Sequence, residues 1–595
     1  MFKFKMSYVA LAAALTSTCV IADPTTYTLN SGTKVIDIEA PNAAGVSHNM
    51  YREFNVSNKG AVLNNSSTDV SHATLGNIAK NNNLTNGSAS VILNEVVSNK
   101  ASALNGFIEV NGQKADVVIA NPNGISCSGC NFINTNKVTL TTGSVKLDES
   151  GAISSYSVTG GKISVDAYGM YANEGYANLL ADVISLNGIV NAKNATLSAG
   201  NFTYDNATGA ITSAGKSANL VQTLIPEYSI DVSSLGGVKA NSIKMVGNNL
   251  GFGVRNKGAI VANSTLAMAS NGSLVNEGSI TSNGFLAQLV SAGGMKNSGT
   301  IETQNIALLT SGGTLNNSGT ITNASQMAIT AIGDIENSGT IHGTNVLAVG
   351  TNGSLKTQYG SLLKSDNQLT LTAMGNITNG GSTHARTLTA DFGGDTFNVT
   401  GNMSATDITL KSAKNGTLQN GTIVNDGALT GDTIELQTNG ALVMGKNSSV
   451  KASTALNTKS YSLDNAGNIH SKTAALYFDN YVTTNTGQII GNNVKFWTYE
   501  DMLNEGMIQA LHDLEINTQN NGNLINRSAI YAGDVMTLAA KKVINGGYGC
   551  GLLKMSTCGV GTLKANSLVL NSSHKYASEV GGTQQFKWTE INTVQ

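Results

Sequence analysis

A period of about twenty residues constrains this chain more than any other feature. Asn256-Lys-Gly258-Ala-Ile260 is followed by Asn276-Glu-Gly278-Ser-Ile280 and Asn297-Ser-Gly299-Thr-Ile301, then by Asn317-Ser-Gly319-Thr-Ile321 and Asn337-Ser-Gly339-Thr-Ile341. The glycines step by 20, 21, 20 and 20. The pattern weakens at Tyr359-Gly360 and Asn379-Gly-Gly381, and returns at Asn425, Asn465, Asn485 and Asn504. Each unit holds a short alternating run such as Ile306-Ala-Leu308-Leu309-Thr, a Gly-rich turn, a second short run and the Asn-x-Gly corner. Alternation of this length means strands. Asn and Gly tolerate left-handed backbone at low cost, which is the expected reason for the corner. Two or three short strands with sharp turns make one coil of a solenoid, and stacked coils bury a continuous core.

The predicted fold class is therefore all-β: a right-handed parallel β-helix of about 20-residue coils, whose two ends expose unpaired strand edges and both need caps. Stacked coils would place Asn297, Asn317 and Asn337 at equivalent corners. Ile301, Ile321 and Ile341 would form one inward ladder, and Thr320 would point outward. Equivalent asparagines can hydrogen-bond along the axis. Leucine-rich repeats share the period but need denser Leu and a helical segment. Calcium-binding nonapeptides need a recurring Gly-Gly-x-Gly-x-Asp, and Gly393-Gly394-Asp395 stands alone. Pro226 is the last of only four prolines, as an uninterrupted ladder requires. At roughly 4.8 Å per coil the mature chain would form a rod on the order of 130 Å long.

Composition excludes some functions. A net charge of -2 gives no electrostatic case for nucleic acid or an acidic membrane surface. The first 22 residues read as a signal peptide: Lys3 and Lys5, an apolar core from Tyr8 to Leu15, and Val20 and Ala22 before a cut at Asp23. The competing membrane anchor is too short to span a bilayer, and Thr16-Ser17-Thr18 makes a poor lipobox before Cys19. Sec export to the periplasm, then display at the cell surface or release, is the expected route. Four cysteines follow, as Cys127/Cys130 and Cys550/Cys558. An exported chain meets an oxidising compartment, so disulfides are the default for both pairs. A redox-active Cys-x-x-Cys belongs at a helix start, and this context is strand and turn. The wide separation of the pairs argues against a four-Cys zinc site.

No catalytic residue, metal site or cofactor motif is expected. The seven histidines lack metal-like spacing, and there is no nucleophile elbow, phosphate loop or His-Glu-x-x-His. With only 12% charged residues, no convergent cluster of the kind used by polysaccharide-acting β-helix enzymes stands out.

Residues 23 to 265 are less regular, and several blocks in them resemble a known family. Gly45-Val-Ser-His48-Asn49-Met-Tyr51-Arg-Glu-Phe54-Asn55 leads to Gly60-Ala-Val-Leu-Asn64-Asn65, then Ile92-Leu-Asn94-Glu95-Val96. The most specific block is Ala120-Asn121-Pro122-Asn123-Gly124-Ile125-Ser-Cys127-Ser-Gly-Cys130-Asn-Phe132. Tyr228-Ser-Ile-Asp231 to Leu235-Gly236-Gly237 follows. In order, these are similar to the secretion domain of two-partner-secretion exoproteins: filamentous haemagglutinins, hemolysins and contact-dependent inhibition proteins. The Cys-x-x-Cys points to the hemolysin and contact-inhibition branch, and the haemagglutinin branch's Asn-Pro-Asn-Leu motif is absent.

The resemblance implies a β-helix with extra-helical strands and an N-terminal cap. It also implies a dedicated outer-membrane β-barrel transporter, of the TpsB type, whose periplasmic domains recognise the module through Asn121, Pro122, Asn123, Gly124 and Ile125. Physically this motif is a turn. Pro122 fixes φ at the first corner, and Asn123-Gly124 is expected to take positive φ. Turn-shaping and transporter contact are compatible roles. His48 is expected to be a structural turn residue.

The expected organisation is a signal peptide at 1–22, the secretion module at 23–265, haemagglutinin-like repeats at 266–570 and a C-terminal stub at 571–595. Three readings of the whole follow: an adhesin, the stalk of a hemolysin or contact-dependent toxin, or a truncated or effector-less paralogue. A host or neighbouring-cell surface is the expected external partner, and a monomer the expected state. An enzyme on a β-helix is the most distant alternative.

Overall fold

The structure, a computed structural model, describes residues 23–213, 227–519, 521–546, 561–572, 579–580 and 583–593. The signal-peptide stretch through Ala22, and both Cys550 and Cys558, lie outside them. Among the described residues there is no helix. Fifty-nine strands form one continuous sheet, wound as a right-handed parallel solenoid of about 21 turns. At roughly 4.8 Å per turn this is a rod of about 100 Å, shorter than the repeat arithmetic predicts. Strands outside the coil, such as the four-stranded flanking sheet, take up part of the difference.

A regular coil has three strands of six, three and four residues, for example Leu286–Ser291, Met295–Asn297 and Thr300–Thr303. Each pairs in register with its counterpart one coil on. Ile280, Ile301, Ile321 and Ile341 face one another in a single column. Leu289, Leu309, Ile329 and Val349 form a second column, and Leu274, Met295, Leu315 and Ile335 a third. All are buried. At about 1.5–3 kcal/mol per large aliphatic side chain, these columns supply the driving force for stacking.

The corner after the three-residue strand corrects the sequence reading. Gly278, Gly299, Gly319 and Gly339 do not take positive φ. They share one hydrogen-bond pattern: the Gly319 N–H donates to Asn297 O at 3.1 Å, and the Gly339 N–H to Asn317 O at 3.1 Å. Glycine is required by crowding. A Cβ on Gly299 would stand 2.0 Å from the Gly278 carbonyl oxygen, and on Gly319 or Gly339 2.1 Å from that of the glycine one coil earlier. Close backbone approach, not handedness, fixes the residue.

The asparagine of the same corner is buried and points inward. Asn297 Nδ2 donates to Asn317 Oδ1 at 2.8 Å, to Gly299 O at 3.2 Å and to Thr320 O at 3.2 Å. The amide-to-amide bond repeats along Asn256, Asn276, Asn297, Asn317 and Asn337 at 2.7–2.8 Å. A second run joins Asn465, Asn485, Asn504, Asn526 and Asn545 at 2.7–2.8 Å. Between them the column holds Thr357, Asn379, Val399, Asn425 and Met444. Each amide of a run satisfies buried backbone carbonyls that the sharp corner would otherwise orphan.

The N-terminal coils are closed differently. Thr26–Thr28 runs antiparallel to Lys34–Asp37, while a hairpin of Val70–His72 and Gly76–Ile78 covers a small cluster of Val35, Val62 and Ile78. A four-stranded antiparallel sheet, Ser144–Leu147, Ile153–Val158, Phe202–Asp205 and Ile211–Ser213, lies on the flank. Its Tyr156, Phe202 and Tyr204 pack against Val46, Leu93, Val118 and Leu180 of the solenoid. At the other end Thr583–Gln585 and Trp588–Thr593 continue the parallel pairing.

Candidate functional site

The Asn121–Cys130 segment sits at one corner of the N-terminal coils. Asp116–Ala120 leads into it, Ile125–Cys127 and Cys130–Ile133 lead out, and all three strands are paired on both sides. Asn121 is buried. Its Nδ2 donates to Lys100 O and to Ser102 Oγ, both at 2.9 Å, while its Oδ1 accepts from the Asn123 N–H at 3.0 Å. The Gly124 N–H closes the turn on Asn121 O at 3.1 Å. Asn123 Nδ2 reaches Ser98 O at 2.7 Å in the preceding coil. Only Gly124, at φ +113°, takes positive φ; Asn123 does not.

The five motif residues divide. Asn121, Gly124 and Ile125 are buried and anchor the corner, whereas Pro122 and Asn123 are exposed. The turn is therefore a rigid presentation of two residues, held by five side-chain hydrogen bonds, one each to Lys100, Ser102 and Ser98 and two within the turn.

Cys127 and Cys130 are joined by a disulfide with Cα atoms 5.4 Å apart, across a turn whose Gly129 has φ +72°. Both sulfurs are buried among the coil's apolar side chains. Burial shields them from thiol exchange, which needs access as well as reactivity.

Titratable side chains from adjacent coils meet near the corner. His48 lies mid-strand in Val46–Tyr51 rather than in a turn, with Nε2 2.7 Å from Glu95 Oε2. Its alternation with buried Ser47 and Asn49 points the ring outward, where the carboxylate one coil on meets it. Asp116 and Lys137 are aligned one coil apart, and Lys137 Nζ also donates to Asn206 of the flanking sheet at 2.9 Å. Burial raises the Asp116 pKa and lowers that of Lys137. Coil arithmetic could have found this pair, because the two positions differ by one period.

Downstream, the chain holds a concavity of about 540 Å³ bordered by Asp432, Lys451, His470 and Lys472. The sequence reading saw no cluster of charged groups, since these residues are about a period apart rather than adjacent. Among the described residues no group of three His, Cys, Asp or Glu is placed to hold a metal, and no helix is long and apolar enough to cross a membrane.

Solenoid, cap, flanking sheet and locked turn define the class: a parallel β-solenoid with a specialised amino-terminal module. More particularly, residues 16–282 match the TPS secretion domain family. The chain thus carries the secretion domain of a two-partner-secretion exoprotein. It is 41% identical over 226 residues to a tRNA nuclease CdiA of Yersinia mollaretii, a match covering 38% of this chain and 7% of that protein. It is 39% identical over 256 residues to a Toxin CdiA of Yersinia pestis, covering 42% and 8%. It is 35% identical over 259 residues to a Hemolysin of Serratia marcescens, covering 43% and 16%. The chain thus spans a small fraction of the length of these relatives. A crystal structure of a filamentous hemagglutinin secretion domain is similar at 31% identity and a TM-score of 0.41, over 51% of this chain and 98% of that one.

Proposed function

We propose that this protein is a secreted surface exoprotein. Sec delivers it to the periplasm, and a cognate TpsB-type β-barrel transporter moves it across the outer membrane. The TPS match over residues 16–282 carries the reading. Its physical counterpart is the division of the Asn121–Ile125 turn, in which buried residues hold Pro122 and Asn123 in one exposed conformation. Preorganisation lowers the entropy cost of recognition by the transporter's periplasmic domains. Outside the cell the rod serves as the stalk of a hemolysin or contact-dependent toxin system, or as an adhesin that meets a neighbouring or host cell. The hemolysin and CdiA relatives support the stalk reading.

The test expresses the full chain with and without the transporter and follows its appearance in the medium. Transporter-dependent release is expected, and Asn123→Ala with Pro122→Ala should lower it while the purified variant keeps its melting temperature. Equal release without the transporter would remove the reading.

A further inference from the structure

Aromatic residues are scarce in this chain, at 5%. Three tyrosines nevertheless line up on one exposed corner of consecutive coils. The rings of Tyr461 and Tyr481 stack with centroids 5.1 Å apart and planes 12° from parallel. Those of Tyr481 and Tyr499 lie 6.1 Å apart at 13°. Beside them runs a row of Lys459, Asp479 and Trp497, aligned coil on coil. A shallow cavity of about 320 Å³ lies between, reaching Thr438 and Asn439 in the coil before Tyr461.

From this juxtaposition we propose that the corner is a binding site for a neutral oligosaccharide. Stacking covers the faces of Tyr481 and its hydroxyl donates to Glu500 Oε1 at 3.2 Å, so the middle of the strip offers only ring edges. The end of the strip differs. The Tyr461 N–H bonds to Gly440 O, and the coil on that side carries Thr438, Asn439 and Gly440 in place of an aromatic ring. One face of Tyr461 is therefore free and opens on the cavity. A flat apolar ring face flanked by an amide, an ammonium group and a carboxylate suits a pyranose, which has one apolar face and a rim of hydroxyls.

The strands here are paired on both sides, so no backbone edge is left for an extended peptide to join. Recognition falls to side chains, repeated once per coil, and a repeated array matches a ligand that is itself a repeat. Asp479 offsets Lys459, and Glu500 accepts from the Tyr481 hydroxyl, so the strip carries no net positive charge, which disfavours an anionic polymer. This inference rests on the proposal that the rod is displayed outside the cell.

Purified full-length protein tests it directly, so a binding failure is separable from an export failure. The probes are cellohexaose, laminarihexaose, maltohexaose and mannohexaose, with sialylated and sulfated oligosaccharides for contrast, measured by titration calorimetry. At least one neutral hexasaccharide should bind. Tyr461→Ala should weaken it about tenfold or more and Lys459→Ala about threefold, with Tyr481→Phe close to wild type. Tyr359→Ala, at a tyrosine 97% exposed elsewhere on the rod, should change nothing. Lys459→Ala alters an exposed side chain and guards against loss of folding in Tyr461→Ala. Binding of none of the neutral probes, binding confined to anionic ones, or unchanged affinity in both Tyr461→Ala and Lys459→Ala would overturn the proposal.

Discussion

The coils from Asn256 to Gly343 and the module that precedes them are parts of one sheet, yet they hold together by different means. In the regular coils the Asn-x-Gly corner repeats its residues and its contacts: Asn on Asn, Gly against Gly, with Ile on Ile in the strand that follows. Each coil is stabilised by its two neighbours. In the secretion module the stabilising contacts are singular: the Asn121 lock, the Cys127–Cys130 bond, the Asp116–Lys137 pair and the flanking sheet seated on Val118 and Leu180. Repetition suits a spacer, whose coils need only be alike. Singular contacts suit a surface that a partner must tell apart from the rest of the rod.

The largest effect is expected from Ile321→Asp. It removes a buried aliphatic worth about 1.5–3 kcal/mol and places an unpartnered carboxylate in the core. Thr320→Asp, on the outer face, should be tolerated. Because coils interact with neighbours, damage should spread one or two coils and leave the secretion module folded. Limited proteolysis should show new cleavage near residue 320 in Ile321→Asp alone, with an intact N-terminal fragment. Loss of the module as well would mean that the two regions fold as one unit.

Gly319→Ala comes next, at about 1–3 kcal/mol for forced overpacking, since the new methyl would meet the Gly299 carbonyl. Gly319→Asn should be at least as harmful. Were left-handed backbone the reason for this glycine, Asn would be the mildest replacement, so denaturant midpoints of the two variants separate the explanations.

Asn317→Ala should cost about 1–3 kcal/mol, because Asn297 loses its amide acceptor and Asn337 its donor. Asn317→Thr should be milder, as Thr357 already occupies this column and donates to Asn379 Oδ1. Thermal melts of the two would show whether the ladder depends on the amide or only on a polar group of the right size.

The smallest effect concerns Asp391, whose Oδ1 is buried without a hydrogen-bond partner. Burial raises its pKa, which the positive charge of Lys411 only partly opposes. A folded-state pKa above the unfolded one means that the fold holds the proton more tightly, so stability falls as pH rises above the ordinary carboxylate range. Asp391→Asn should raise the melting temperature at pH 7 and leave it nearly unchanged at pH 4. A difference of the same size at both pH values would contradict this.

Much of the regular region was legible in the sequence because its contacts repeat at a fixed interval. Asn297, Ile301 and Thr320 could be placed from spacing alone. The reason for Gly319 was not legible, since turn glycine and crowding glycine look alike until the neighbouring backbone is in place. His48 was misplaced for a related cause: a polar residue on the outer face of a strand reads locally like a turn. Extra-helical strands were expected from the resemblance, but which segments form them was hidden, because Ser144–Leu147, Ile153–Val158 and Phe202–Asp205 alternate like any strands, and their antiparallel partners are set by distant pairing. The Asp432, Lys451 and His470 groove and the Tyr461, Tyr481 and Tyr499 strip were within reach, had outward residues been read by the same period as inward ones.

Register is the claim on which all of this depends, and a cross-link measures it directly. Thr310 and Thr330 face outward in adjacent coils with their hydroxyls 3.2 Å apart, while Ile329 is the inward neighbour of Thr330. In the full-length protein, Thr310→Cys with Thr330→Cys should form a disulfide under mild oxidation, identified by peptide mass, because their Cβ atoms share one face of one sheet. Thr310→Cys with Ile329→Cys should stay reduced. A bond in the second pair and none in the first would shift the strand phase by one residue and turn the core columns outward.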